Sequence, residues 1–187
     1  EWCGRNGFSM PLDSKFVFKR KLDAQGLIEK HKARLTVRGF LEIWGLHWVE
    51  NFAPTTSPNC LKLMVALCLF LRVLYPAPKG SDRYVIMEQS DYIAAFLMGD
   101  LEKPIIMKLP QGVQVAECDF VKVTRALYGH HDAARLWNEL LSKLILEYDQ
   151  RFTRSRIDPG VFILHEPKEK LFVMISVHVD DSNYLHN

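Results

Sequence analysis

The run Leu171-Phe172-Val173-Met174-Ile175-Ser176-Val177 constrains the fold of this chain more than any other segment. Strand side chains alternate between two faces, and here Leu171, Val173, Ile175 and Val177 alternate with Phe172 and Met174, so both faces are apolar. Such a strand is buried on both sides and sits in the middle of a sheet. His178-Val179-Asp180-Asp181 follows directly, so two carboxylates leave the end of a buried strand. A third, Asp91, ends another strand-like run, Tyr84 to Ser90. An adjacent Asp pair by itself reads as a solvated turn, because Asp favours turns. Three carboxylates gathered at strand ends are what a two-metal phosphoryl-transfer site needs. Hard cations prefer oxygen ligands, and two of them about 3.5–4 Å apart clamp the attacking and leaving oxygens.

The remaining elements follow from local signals. Lys15 to Leu22 and Leu27 to Phe40 are strand-like, and Asp23-Ala24-Gln25-Gly26 between them is a turn, so the pair reads as a hairpin. In the second strand Ala33, Leu35 and Val37 face one side, while Lys30, Lys32, Arg34 and Arg38 face the other. Eight Lys or Arg lie between Lys15 and Arg38, against Asp23 and Glu29. Net charge over the 187 residues is only +2, so a nucleic-acid partner depends on this local patch, which reads equally as an exposed ribbon face.

Ser57-Pro58 starts a helix to about Tyr75, with Leu61, Val65, Cys68 and Leu71 among its apolar positions. Tyr75 to Asp82 reads as a loop, and Ile93 to Met98 as a short helix stopped by Gly99. Ile105 to Leu109 and Phe120 to Thr124 are short strands. Asp132 can N-cap an amphipathic helix whose apolar face holds Ala133, Leu136, Trp137, Leu140, Leu141, Leu144 and Ile145. Val161 to His165 and Leu171 to His178 are strands flanking a Glu-Pro-Lys-Glu loop. The expected class is α+β, an antiparallel sheet with helices on one face. Leu61 to Leu74 is too short to span a bilayer, so no membrane partner is expected. Glu1 to Met10 is polar and Gly-rich and reads as a fragment's edge, not a secretory signal. Four cysteines with no C-x-x-C pair fit a reduced, intracellular setting.

Six blocks in order resemble the reverse transcriptase domain of Ty1/copia-type retrotransposons. They are Lys32-Ala33-Arg34-Leu35-Thr36-Val37-Arg38-Gly39-Phe40, Asn51-Phe52-Ala53-Pro54, Asp91 to Leu101, Ala126-Leu127-Tyr128-Gly129 with Arg135 and Trp137, Arg154 to Phe162, and His178-Val179-Asp180-Asp181. The resemblance runs from Phe16 to Asp181. It implies a right-hand polymerase with a fingers hairpin at about 15–40 and a palm at about 84–187. Residues 1–14 would be the edge of the fragment, the palm would be cut short and the thumb missing.

The activity implied is RNA-directed DNA polymerisation within a retrotransposon polyprotein. Its ligands would be an RNA template, a DNA primer, dNTPs and two Mg²⁺ ions, with Mn²⁺ as a substitute. Its partners would be the thumb, RNase H and integrase segments, and its place a cytoplasmic particle or the nucleus. By that similarity Asp91 and Asp180 ligate the metals and Asp181 supports them. Lys32, Arg34, Phe96, Tyr128 and Gly129 line the nucleotide, and His178, Val179 and Arg38 face primer and template. Phe96 reads also as core, and Arg34 as a solvated strand residue.

Departures from the pattern bear on activity. His178 replaces the family tyrosine, and His131, Asp132 and Ala134 replace Lys, Gln and Pro. Asp132 either repels a passing phosphate or simply caps its helix. His130-His131 has no further ligand at metal-binding spacing. Ser182 to Asn187 can only begin the return strand of a hairpin around the Asp pair. The alternative is therefore a catalytically dead remnant, either a nucleic-acid-binding module or an inert fragment.

Overall fold

In the computed structural model, residues 10–74, 76, 85–113, 115 and 118–187 are described. The class is α+β, with antiparallel strand pairs and two helices. The chain divides into two compact units, residues 1–52 with 96–137 and residues 53–95 with 138–187.

The second unit is built on a five-stranded antiparallel sheet. Its strands are β3 (Ile86–Asp91), β6 (Thr153–Arg154), β7 (Val161–Glu166), β8 (Leu171–His178) and β9 (Asp181–His186), in the order β3-β9-β8-β7-β6. The doubly apolar strand β8 is the middle one, as its pattern requires. Ile175 and Val177 are buried on one side and Met174 and Ser176 on the other, so the centre of the sheet is covered on both faces rather than one.

Strand β9 overturns the expectation of an unfinished hairpin. The register pairs His178 with Asp181, which leaves only Val179 and Asp180 in the turn. So tight a turn frees six residues, an ordinary strand length, and β9 pairs with β8 on one side and β3 on the other. Val179 carries the positive φ of 58° that such hairpin turns need, in a β-branched residue that normally avoids it.

Helix α1 (Pro58–Leu74) covers part of this sheet. The Ser57 hydroxyl accepts the Cys60 N–H at 3.2 Å, as an N-cap should. Met64 and Cys68 pack with Val85, Val161, Met174 and Leu185, flanked by Cys60, Leu67 and Leu71. The buried stripe is thus rotated from the expected one, and Leu61 and Val65 are exposed. With apolar residues nearly all round, the helix has no polar face to fix its rotation.

Residues just after Pro54 and the Arg154 to Phe162 block brace the end of β8. Thr56 N–H donates to Val177 O at 2.9 Å, and its hydroxyl reaches Gly160 O and Val177 O. Asp158 accepts the N–H groups of Ser57 and Gly160. A side chain at Gly160 would meet Thr56 N at 2.5 Å.

In the first unit β1 (Ser14–Leu22) and β2 (Ile28–Val37) form the expected hairpin. The Asp23 carboxylate accepts the N–H groups of Gln25 and Leu27, and Gly26 supplies φ +83°. Its outer part is open, so Ala33 is exposed and only Val37 is fully buried. A second antiparallel pair joins β4 (Asp100–Lys108) to β5 (Phe120–Arg125).

A single 3₁₀ turn, Ala95–Leu97, replaces the short helix expected at Ile93 to Met98. Gly99 is no left-handed stop. It is needed because a Cβ there would lie 2.7 Å from Leu136 Cβ. Helix α2 (Ala133–Tyr148) begins in this unit and continues into the other. Ala133, Leu136, Trp137, Leu141 and Ile145 are buried as expected, whereas Leu144 is exposed. The Tyr75 to Asp82 loop lies outside the described residues, save Pro76. Among the described residues no helix is long and apolar enough to cross a membrane.

Candidate active site

The carboxylates meet at one end of the five-stranded sheet. Asp91 closes β3 and Asp181 opens β9, and the two are direct cross-strand partners. Alternation puts Gln89, Asp91, Asp181 and His178 on one face. Asp180 sits in the turn, where its carbonyl accepts the Tyr92 N–H at 2.8 Å. Gln89 Nε2 donates to Asp181 Oδ1 at 3.4 Å.

On the opposite face the Tyr92 and Tyr184 hydroxyls lie 2.7 Å apart, and Ser90 Oγ is 3.2 Å from Tyr184 Oη. Burial, then the bond to Tyr184, pushes the Tyr92 phenol up to about 12, so it keeps its proton and braces β3 against β9. Sequence reasoning missed this pair. Its only signal was one Tyr beside each acidic motif.

None of the three aspartates forms an ion pair among the described residues. Asp91 and Asp180 are exposed and Asp181 is half-buried. Asp91 and Asp181 are cross-strand neighbours on one face, a placement from which their oxygens could bind a divalent cation. Their oxygen chemistry fits Mg²⁺ or Mn²⁺. No three His, Cys, Asp or Glu side chains already converge as a ligand cage among the described residues.

In the first unit four of the five residues expected at the nucleotide come together. The Arg34 guanidinium stacks 5.4 Å from the Tyr128 ring centroid, and Phe96 meets that ring edge-on at 6.0 Å. Phe96 also packs against Ala126, Ala133 and Leu136, so its core reading holds as well. Val37 N–H donates to Tyr128 O at 2.9 Å. Gly129 has φ +88°, and a Cβ there would land on Val37 O.

Lys32 lies on the Arg34 face, opposite Lys19, and Lys30 lies opposite Lys21. Like charges directly opposite destabilise a ribbon, so this face is suited to an anion. Arg38 stands apart, 3.8 Å from Asp13.

His130, His131 and Asp132, which depart from the copia pattern, have partners in the fold. Glu42 Oε1 lies 2.6 Å from His130 Nδ1, and Oε2 lies 2.6 Å from His131 Nδ1 and accepts the His131 N–H. The ring of Trp48 stacks on His131 at 4.7 Å. Asp132 does not cap α2 with its side chain. Its Oδ2 pairs with Arg135 at 3.1 Å, which offsets the charge expected to repel a phosphate.

Burial pushes the Glu42 carboxyl up, but the His130 and His131 contacts outweigh it and hold it below the usual carboxylate range. This stabilisation is fully present above the unfolded-chain value and is lost as pH falls through the folded one. Urea midpoints for the wild type should therefore drop more steeply than those of Glu42→Gln between about pH 5 and pH 3. The variant should be the less stable of the two at pH 7, because an amide lacks the charge that strengthens the contacts to His130 and His131. Parallel pH curves would refute the assignment.

Residues 7–184 match the profile of the reverse transcriptase (RNA-dependent DNA polymerase) family. The chain belongs to that family. The retrovirus-related Pol polyprotein from transposon TNT 1-94 of Nicotiana tabacum is 31% identical over 173 residues, covering 91% of this chain and 12% of that protein. Those from transposons RE1 and RE2 of Arabidopsis thaliana are each 27% identical over 169 residues, covering 89% of this chain and 10% of theirs. These relatives place the reverse transcriptase domain among the copia type. The chain spans about a tenth of their length. No solved structure matches it.

Proposed function

We propose that this reverse transcriptase domain is the catalytic part of a copia-like polyprotein, copying RNA into DNA with two divalent cations. The observation that carries the proposal is the register placing Asp91 opposite Asp181, with Asp180 tied by its carbonyl to Tyr92. Asp91 and Asp180 would hold the metals and Asp181 would support them. When bound, the ions supply charge neutralisation at the attacking and leaving oxygens. The hairpin at about 15–40 would be fingers, and about 84–187 palm.

Arg34 and Lys32 would neutralise the triphosphate. The Arg34 guanidinium, held over the Tyr128 ring, is a planar donor suited to phosphate oxygens. Tyr128, held by Arg34 and Phe96, would offer a wall to the incoming nucleotide, and Phe96 would crowd a ribose 2′-hydroxyl. His178, Val179 and Arg38 would lie toward the primer and template.

Steady-state primer extension on an RNA template, with the domain in its polyprotein, tests this reading. Arg34→Ala should raise KM for dNTP roughly tenfold or more, with a smaller change in kcat, because it removes a charge-assisted hydrogen bond. An unchanged KM would remove Arg34 from the site. The basic hairpin face also suits a purely binding remnant. That reading predicts salt-sensitive RNA binding, lost on reversing Lys32 and Arg34, with no extension under any divalent cation.

A further inference from the structure

Helix α1 contains no acidic residue, and only Asn59, Lys62 and Arg72 interrupt its apolar sequence. A helix apolar all round is one that is covered all round. The sheet covers the stripe of Met64 and Cys68, but Leu63, Leu69, Phe70 and Val73 remain 61%, 60%, 57% and 79% exposed. Arg72 is turned aside, its Nε donating to Val85 O at 2.7 Å. Lys62 is thus the one cation of α1 without such a bond among the described residues.

We propose that this outer face of α1 is a self-association surface, occupied by α1 of a second copy running antiparallel to it. Three observations favour a second copy over an unrelated partner. Ala66, small and exposed, stands at the midpoint of the helix, between Pro58 and Leu74, where a second backbone can come close. An antiparallel crossing there is self-complementary, the requirement of a two-fold interface. It sets Leu63 against Leu69 and Lys62 against Phe70, an apolar pair and a cation over an aromatic ring. A parallel crossing would instead put Lys62 against Lys62.

Leu63, Leu69, Phe70 and Val73 would form the apolar centre of such an interface, and a contiguous apolar patch of this kind is often functional.

Sedimentation equilibrium on the 187-residue chain, from about 1 to 100 μM protein, tests the proposal in the range where weak interfaces associate. The wild type should form dimers and nothing larger. Leu69→Glu should weaken the dimer at least tenfold while keeping the far-ultraviolet circular dichroism of the wild type. A second measurement guards against a variant that misfolds. Ala66→Cys, with Cys3 and Cys118 changed to Ser, should form a disulphide-linked dimer on mild oxidation, and the Cys3, Cys118 background alone should not. A folded monomer at every concentration would overturn the proposal. A dimer indifferent to Leu69→Glu, or open-ended aggregation, would overturn it too.

Discussion

Asp180→Asn should abolish RNA-templated primer extension while leaving the fold intact. The substitution keeps the side-chain shape and removes one negative charge. Asp180 is exposed in a two-residue turn, and its link to the sheet runs through its backbone carbonyl, which asparagine retains. An exposed change of this kind shifts stability within about ±0.5 kcal/mol. If Asp180 holds a metal as proposed, its loss costs several kcal/mol of transition-state stabilisation, so the rate should fall roughly a thousandfold or more. The urea midpoint should not move. Extension at even a tenth of the wild-type rate would remove Asp180 from the site. A parallel fall in midpoint would mean that the residue acts through the fold.

Gly129→Ala should be among the most damaging small substitutions in the first unit. Gly129 holds φ +88°, a region that L-residues reach only with strain. Its missing side chain is also where the Val37 carbonyl passes, with Val37 C at 3.4 Å and N at 3.6 Å from a Cβ built there. Backbone cannot move aside as the end of a flexible side chain can. Together the strain and the overlap should cost about 3 kcal/mol, seen as a lower urea midpoint. Because the same contact seats Tyr128 beside Arg34, dNTP binding should weaken in the protein that remains folded. A midpoint equal to that of the wild type would show that the approach of Val37 to Gly129 is looser than described.

Which features were legible in the sequence follows from the range of the interactions involved. The Asp23–Gly26 turn depends on a side chain and a glycine within four residues, and it reads directly. The central place of β8 was legible because both of its faces are apolar. Helix α1 was legible in extent but not in rotation, since Leu61 and Cys60 are equally apolar and only the sheet decides between them. Strand β9 was hidden because Asp181-Ser182-Asn183-Tyr184-Leu185-His186 carries turn-forming residues, and its pairing comes from neighbours on both sides.

The site divides in the same way. The carboxylates were legible through strand ends and the six copia blocks. The bond from Glu42 to His130 and His131 spans 88 and 89 residues, and no local pattern announces it. The same holds for the Tyr92–Tyr184 brace, 92 residues apart in sequence.

The proposed divalent-cation site of Asp91, Asp180 and Asp181 lies at the end of one sheet. Paramagnetic broadening by Mn²⁺ of the amide resonances of the 187-residue chain tests it most directly, without requiring polymerase activity. Substoichiometric Mn²⁺ should broaden the amides of residues 89–92 and 178–183 first, Mg²⁺ should compete, and Asp91→Asn together with Asp180→Asn should remove the effect. Broadening centred elsewhere, or unchanged in the double variant, would contradict it.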